Sequence, residues 1–294
     1  MRVNEDAAVS TSRILLVPYD ADHVERYHEW MQDEALREAT ASDLLTLDEE
    51  YENQQSWRTA HDKLTFIVCR AVSAADLDPV YSGTDDAPAR MVGDVNLFLT
   101  PYDGEDDEDG GSGDNHRNAD EGRDADRESE LQGEIDIMIA AREDRRKGLG
   151  EAAVRAFLRY LARNHEAIVS EYVRGAALAV SDASGETKTG TTSTTTITTA
   201  KEKRNGARLK RLVAKINADN AGSIRLFGNL GFRRHGEPNY FNEISMVLLG
   251  FPSMLPTTTT TTTMVPGTGP SITDPEADEL GYRERFYDRS RLKK

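Results

Sequence analysis

Cysteine is almost absent from this chain: Cys69 stands alone among 294 residues, so no internal disulfide can form. It lies in the apolar run Phe66-Ile67-Val68-Cys69, which reads as a small core residue rather than a nucleophile. No apolar run approaches the length that spans a bilayer, and Met1-Arg2-Val3-Asn4-Glu5-Asp6 has no signal-peptide core. The expectation is therefore a protein of the cytosol, with the nucleus as a further compartment, and with no membrane partner. Paired histidine spacing is missing as well. His23, His28, His61, His116, His165 and His235 neither pair with one another nor with cysteine, so no metal is expected.

What the chain has in excess is negative charge, and it is unevenly placed. The tract from Asp103 to Glu130 holds 13 acids and 3 arginines, and so carries 10 of the 16 net negative charges. It has almost no apolar residue with which to offset its ordering entropy, and reads as a solvated insert. The remaining chain is mildly acidic, which speaks to solubility, says little about substrate, and gives no sign of a nucleic-acid partner. A second biased tract, about 175–206, contains the Thr-rich run Thr191-Thr192-Ser193-Thr194-Thr195-Thr196. A third starts near Pro252 and carries Thr257 to Thr263. The resulting division is a flexible N-terminus over 1–11, one folded domain over 12–251 with disordered inserts at about 103–130 and 175–206, and a low-complexity tail over 252–294. Roughly 200 residues remain for the fold, a normal size for one core.

Hydrophobic periodicity orders the elements. Ile14-Leu15-Leu16-Val17 reads as a strand, and Val24, Tyr27, Trp30 and Met31 share one helical face. Thr46 followed by Glu49 has capping-box spacing, which predicts a helix from Leu47 to about Trp57. Strands follow at 65–68 and 91–99, with a loop between them. Glu134-Ile135-Asp136-Ile137-Met138-Ile139 alternates strictly, which puts two carboxylates on one face of a strand. A helix then opens at Gly150, a strand runs over 209–216, a helix over 220–230 capped by Gly231, and a last strand over 244–249. Antiparallel strands followed by strand-helix-strand units imply an α/β fold: a mixed, mostly antiparallel sheet with helices on both faces.

The segment Arg145-Arg146-Lys147-Gly148-Leu149-Gly150 lies between the alternating strand and an amphipathic helix. Glycines there let the backbone approach a ligand, and the N–H groups that open a helix favour a pyrophosphate. The segment has neither the Gly-Lys-Ser/Thr ending of a phosphate loop nor the three-glycine spacing of a dinucleotide fold. It resembles the acetyl-CoA signature of the GNAT superfamily of N-acetyltransferases, Gln/Arg-x-x-Gly-x-Gly/Ala, at Arg145, Gly148 and Gly150. Asn220-Ala221-Gly222-Ser223-Ile224-Arg225-Leu226-Phe227 is similar to the second block of that superfamily, a helix that flanks the pantetheine arm. Further segments, among them Leu16-Val17-Pro18-Tyr19, Tyr27-His28-Glu29-Trp30-Met31 and Met91 to Leu99, resemble the N-acetyltransferase 9 group within it.

The resemblance implies acetyl-CoA as cosubstrate and the GNAT fold. It implies coenzyme contacts from Met138, Ile139, Arg145, Arg146, Lys147, Gly148, Leu149, Gly150, Asn220, Ser223 and Phe227. It further implies direct attack of a neutral amine on the thioester. The acceptor amine is then a protein N-terminus or a lysine, with tubulin or microtubules as the partner that the animal relatives point to. An α-amine with a pKa near 8 is roughly a tenth neutral at pH 7, whereas a lysine is almost wholly charged, so a base is needed. Glu134, eleven residues before Arg145, is the candidate general base, with Asp136 as the weaker candidate; substrate binding or strand pairing is the other reading of both. Many relatives place an acidic tyrosine where this chain has Phe227, which leaves Tyr160 and Tyr240 as substitutes, or an unassisted thiolate. A GNAT-fold binding protein without catalysis is the alternative function.

Overall fold

The computed structural model describes residues 1–72, 79–102, 104, 129–183, 207–252 and 281–292. Ten strands form one sheet in the order β4-β10-β1-β2-β3-β5-β6-β7-β9-β8. They are β1 (Ala7–Ser10), β2 (Ile14–Pro18), β3 (Lys63–Arg70), β4 (Val80–Tyr81), β5 (Met91–Pro101), β6 (Ser129–Ile139), β7 (Ala207–Asn217), β8 (Arg233–His235), β9 (Glu243–Leu249) and β10 (Arg283–Asp288). Among the described residues, only β4/β10 and β6/β7 pair in parallel. A parallel pair needs a long crossover, here supplied by α4 (Leu149–Ala183), whose 35 residues reach about 52 Å at the α-helical rise.

The sheet has helices on both faces, as the sequence predicts. On one face α4 and α5 (Ala221–Asn229) cover Leu16, Phe66, Val68, Val95, Leu97, Ile135 and Leu212, all buried. Phe66 meets Phe157 and Tyr160 of α4 edge to face. On the other face, α1 (Val24–Met31), α2 (Glu34–Thr40) and α3 (Leu47–Thr59) lie over Leu15, Val17, Ile67, Cys69 and Met138. Helix α3 starts at the capping box read from the sequence: Thr46 Oγ1 accepts from Glu49 N, and the Glu49 carboxylate accepts from Thr46 N at 2.8 Å. The face α3 turns inward is unusually polar, since Glu50 and Gln54 are both buried.

Several boundaries differ from the sequence reading. The N-terminal segment is not loose: Met1 is buried, its ammonium donates to Ala60 O and Lys63 O, and β1 lies between β2 and β10. The tail beyond 252 returns at β10, where Tyr287 is buried and donates to Ser82 Oγ at 2.8 Å. Its four-residue register with β1 explains both departures, because two short strands order each other. Helix α4 runs on to Ala183, into the region assigned to the second insert, because Ala-rich sequence sustains a helix past the core. The acidic tract from 105 to 128, the Thr-rich run and most of the tail lie outside the described residues.

Candidate active site

Strands β6 and β7 pair from Ser129/Ala207 only as far as Glu134/Val213, with a one-residue register shift between Leu131 and Gln132. Beyond that point β6 continues to Ile139 and β7 to Asn217, each held by its outer neighbour, β5 or β9. The two strands therefore diverge, and residues 135–139 and 214–217 present facing edges with no ladder between them. A notch of this kind suits a guest with its own amide groups, which can pair with the exposed backbone donors and acceptors.

The basic loop sits at the C-terminal end of β6, at the mouth of this notch. Arg146 (φ 61) and Gly148 (φ 76) are both in the left-handed region, which folds the loop back on itself before α4 begins. Asp144 anchors it from beneath: the carboxylate is buried and accepts from Arg70 and, at 3.3 Å, from Lys147 Nζ. Arg145 donates to Ile139 O and Ala140 O at 2.8 and 2.9 Å, tying the loop to the end of β6. Arg145, Arg146, Lys147 and Gly148 are exposed, and the first N–H groups of α4 point toward the same loop. Arg13, from the β1–β2 turn, donates to Lys147 O and lies against Gly148. It adds a cation that no motif flagged.

The second predicted block comes to the same place. Asn220 caps α5 by accepting from Ser223 N at 3.0 Å. A Cβ at Gly150 would stand 3.2 Å from Leu226 Cδ1, so the glycine permits the close approach of α5 to the start of α4. Two side chains expected at the coenzyme turn away from the notch, although Met138 belongs to the stretch of β6 that borders it. Phe227 is buried and packs edge to face on Phe232, with ring centroids 5.0 Å apart. Met138 is buried among the residues beneath α1. Both follow the side-chain period of their elements, which turns them toward the core.

On the face beneath α1 and α3, the strand register lines up Thr65 of β3, Asn96 of β5 and Asp136 of β6, with Asp94 two residues along β5 and Glu134 two along β6. Glu134 Oε2 is held in an ion pair with Lys215 Nζ of β7 at 2.8 Å, two residues along β7 from Val213, its partner in the last rung before the strands part. Asp136 makes no ion pair among the described residues, although Lys215 acts on it from a distance. Desolvation and then the Glu134 carboxylate push its carboxyl up to about 6 against the pull of Lys215, although the residue as a whole is exposed to solvent. Asp94 is 2% exposed, and burial pushes its carboxyl up to about 7; the Asn96 hydrogen bond opposes the rise and Asp136 adds to it. Asn96 Nδ2 donates to Asp94 Oδ2 at 2.7 Å, and Tyr27 OH at 3.4 Å. Asp94, Asn96 and Tyr27 escaped the motif reading; the signal was there in polar residues at period two, Asp94 and Asn96, inside an apolar strand. Tyr160 lies on the opposite face, buried, with its hydroxyl on Val3 O, whereas Tyr240 is 96% exposed on the β8–β9 hairpin.

A parallel pair that diverges beside a basic helix-opening loop, with two carboxylates along one of its strands, makes a cleft suited to an extended anionic ligand. The family profile described as "Acetyltransferase (GNAT) domain" matches residues 13–233, and the chain belongs to this family. It is an acetyl-transferring enzyme. It is 36% identical over 259 residues to the N-acetyltransferase 9-like protein of Schizosaccharomyces pombe, covering 85% of this chain and 99% of that one. It is 32% identical over 247 residues to the Drosophila melanogaster alpha/beta-tubulin-N-acetyltransferase 9 (84% and 88% covered). With the human alpha/beta-tubulin-N-acetyltransferase 9, identity is 32% over 249 residues (84% and 86%). Among solved structures, a GNAT-family acetyltransferase from Bacillus anthracis is 15% identical, with a TM-score of 0.44, over 82% of this chain and 98% of that one.

Proposed function

We propose that this enzyme transfers the acetyl group of acetyl-CoA to a primary amine of a protein, an N-terminus or a lysine, by direct attack, with tubulin as the acceptor named for its relatives. The observation that carries this reading is that the exposed basic loop and a solvent-exposed carboxylate, Asp136, lie along one diverging strand pair. When bound, acetyl-CoA supplies the activated carbonyl and a thiolate leaving group. The chain's part is to hold the pyrophosphate with the α4 N-terminus and Arg145, Arg146 and Lys147, and to align the pantetheine amides along β6. Asn220 and Ser223 open the helix beside that arm.

Between the two candidate bases the geometry favours Asp136. Glu134 is occupied by Lys215, while Asp136 lies one step further toward the loop, and its raised pKa keeps it a competent base at neutral pH. Glu134 positions Lys215 and raises Asp136 electrostatically. The absence of a tyrosine at 227 is consistent with a thiolate that leaves without an acid, since thiols ionise close to neutrality.

Calorimetric titration of acetyl-CoA into the native protein and into Gly148→Glu tests the reading. The native protein should bind and the variant should lose at least ~100-fold in affinity, because a carboxylate would stand in the phosphate position. Equal binding by both would place the coenzyme elsewhere. Asp136→Asn should lower kcat by about 100-fold or more with coenzyme affinity intact.

A further inference from the structure

The loop at the mouth of the notch gathers more positive charge than its own carboxylates balance, in a chain whose net charge is -16. Arg70, Arg145, Arg146 and Lys147 lie there, and Arg13 joins them from the turn between β1 and β2. Asp144 is shared between Arg70 and Lys147. Glu151, the acid in the first turn of α4, is taken up by Arg155 at 3.1 Å and Asn229 at 3.4 Å. Arg145 gives Nε and Nη2 to the carbonyls of Ile139 and Ala140. Arg13 and Arg146 make no ion pair among the described residues. Like charges held together in this way repel one another, and an incoming anion relieves the repulsion.

The turn that carries Arg13 is rigid. Thr11, 6% exposed, accepts through Oγ1 from Arg13 N at 3.1 Å and Ile14 N at 3.0 Å, and Thr11 N donates to Ile14 O at 2.9 Å. Ile14 is buried at the start of β2. From this base the Arg13 side chain crosses to the loop, where Nη2 donates to Lys147 O. A Cβ at Gly148 would stand 3.1 and 3.2 Å from the two Nη atoms of Arg13, so the guanidinium lies in the space that a side chain at 148 would claim. Gly148 therefore does two things: it adopts φ 76, and it leaves Arg13 a berth beside the N–H groups that open α4. Nε and Nη1 of Arg13 make no hydrogen bond among the described residues, so most of its donor fork is left for a ligand.

We infer that Arg13 is a coenzyme-binding residue, whose guanidinium takes the pyrophosphate of acetyl-CoA together with the N–H groups at the start of α4. The inference rests on the acetyl-CoA reading above and adds to it a residue more than 130 positions away from the signature. A planar fork matches two phosphate oxygens at once, which a single N–H or an ammonium does not. The pyrophosphate is the phosphate group assigned because Arg13 lies against Gly148 itself, next to the backbone donors of the helix opening, and not out along the rim.

The test is calorimetric titration of the full-length protein, as wild type, Arg13→Gln and Arg13→Lys, with acetyl-CoA and with its 3′-dephospho form. Glutamine keeps a donor for Lys147 O and loses the charge, whereas lysine keeps a donor and the charge. Arg13 is exposed, so both variants should melt within about 3 °C of the wild type. Arg13→Gln should weaken acetyl-CoA binding by at least about fivefold, and Arg13→Lys should recover at least about threefold of that loss. The same loss should appear with the 3′-dephospho ligand. A loss below fivefold, or a lysine that recovers less than threefold, leaves Arg13 only its brace on Lys147 O and overturns the inference. A loss that disappears with the 3′-dephospho ligand, or a wild type that binds acetyl-CoA alone, moves the contact to the 3′-phosphate and overturns the pyrophosphate assignment. If the wild type binds neither ligand, the acetyl-CoA reading itself falls, an outcome distinct from variants that bind as tightly as the wild type.

Discussion

A carboxyl held near 7 in the native state opposes folding at neutral pH. Asp94 binds a proton in the folded protein between its unfolded value near 4 and about 7, while the unfolded chain does not, so stability falls as pH rises through that window. Asp136 acts in the same direction up to about 6. Asp94→Asn should therefore stabilise the protein on the order of a few kcal/mol at pH 8 and much less at pH 4.5; denaturant melts at the two pH values check this. A second single-residue outcome concerns Phe227. Its ring is packed on Phe232 and buried in the apolar core, so Phe227→Tyr puts a hydroxyl into that core. The change should cost about 1–3 kcal/mol in thermal or denaturant unfolding and should not raise kcat, which separates this chain from relatives with an acidic tyrosine there.

At the scale of elements, β5 and β6 approach so closely at one rung that only glycine fits. A Cβ on Gly93 would stand 1.8 Å from Met138 O, with no flexible side chain to yield. Gly93→Ala should destabilise by more than ~3 kcal/mol and spread β5 from β6, losing soluble protein or dropping its melting temperature sharply. Strands and helices with strong periodicity were legible in the sequence: β2, β5, β6, α3 with its Thr46 cap, and α5 ending before Gly231 (φ 93). The short elements α2, β4, β8 and β10 were not, because two to seven residues carry too little period to stand out, and pairing with neighbours rather than propensity makes them. The same limit governs the site. The Arg145–Gly150 cradle is local in sequence and could be read there, whereas Asp94, Asn96, Thr65 and Arg13 join it only through register and turns.

For the whole molecule, a ligand that binds only the native state raises its melting temperature, so saturating acetyl-CoA at about 100 times its Kd should add about 2.7 kcal/mol of stability, and Gly148→Glu should show no such shift. Removing residues 281–294 should be costly for a different reason. It takes away β10, buried Tyr287 and Tyr282, and the partner of β1, and should cost at least ~3 kcal/mol in unfolding free energy. Strand β10 is inserted between β1 and β4, which come from the first third of the chain. On the ribosome this order has a consequence. The edges of β1 and β4 must wait, exposed, until more than 200 further residues have been made and residues 283–288 have cleared the exit tunnel. Completion of that side of the sheet therefore comes late in synthesis, and nascent chains paused before residue 283 offer two unsealed strand edges to chaperones or to one another.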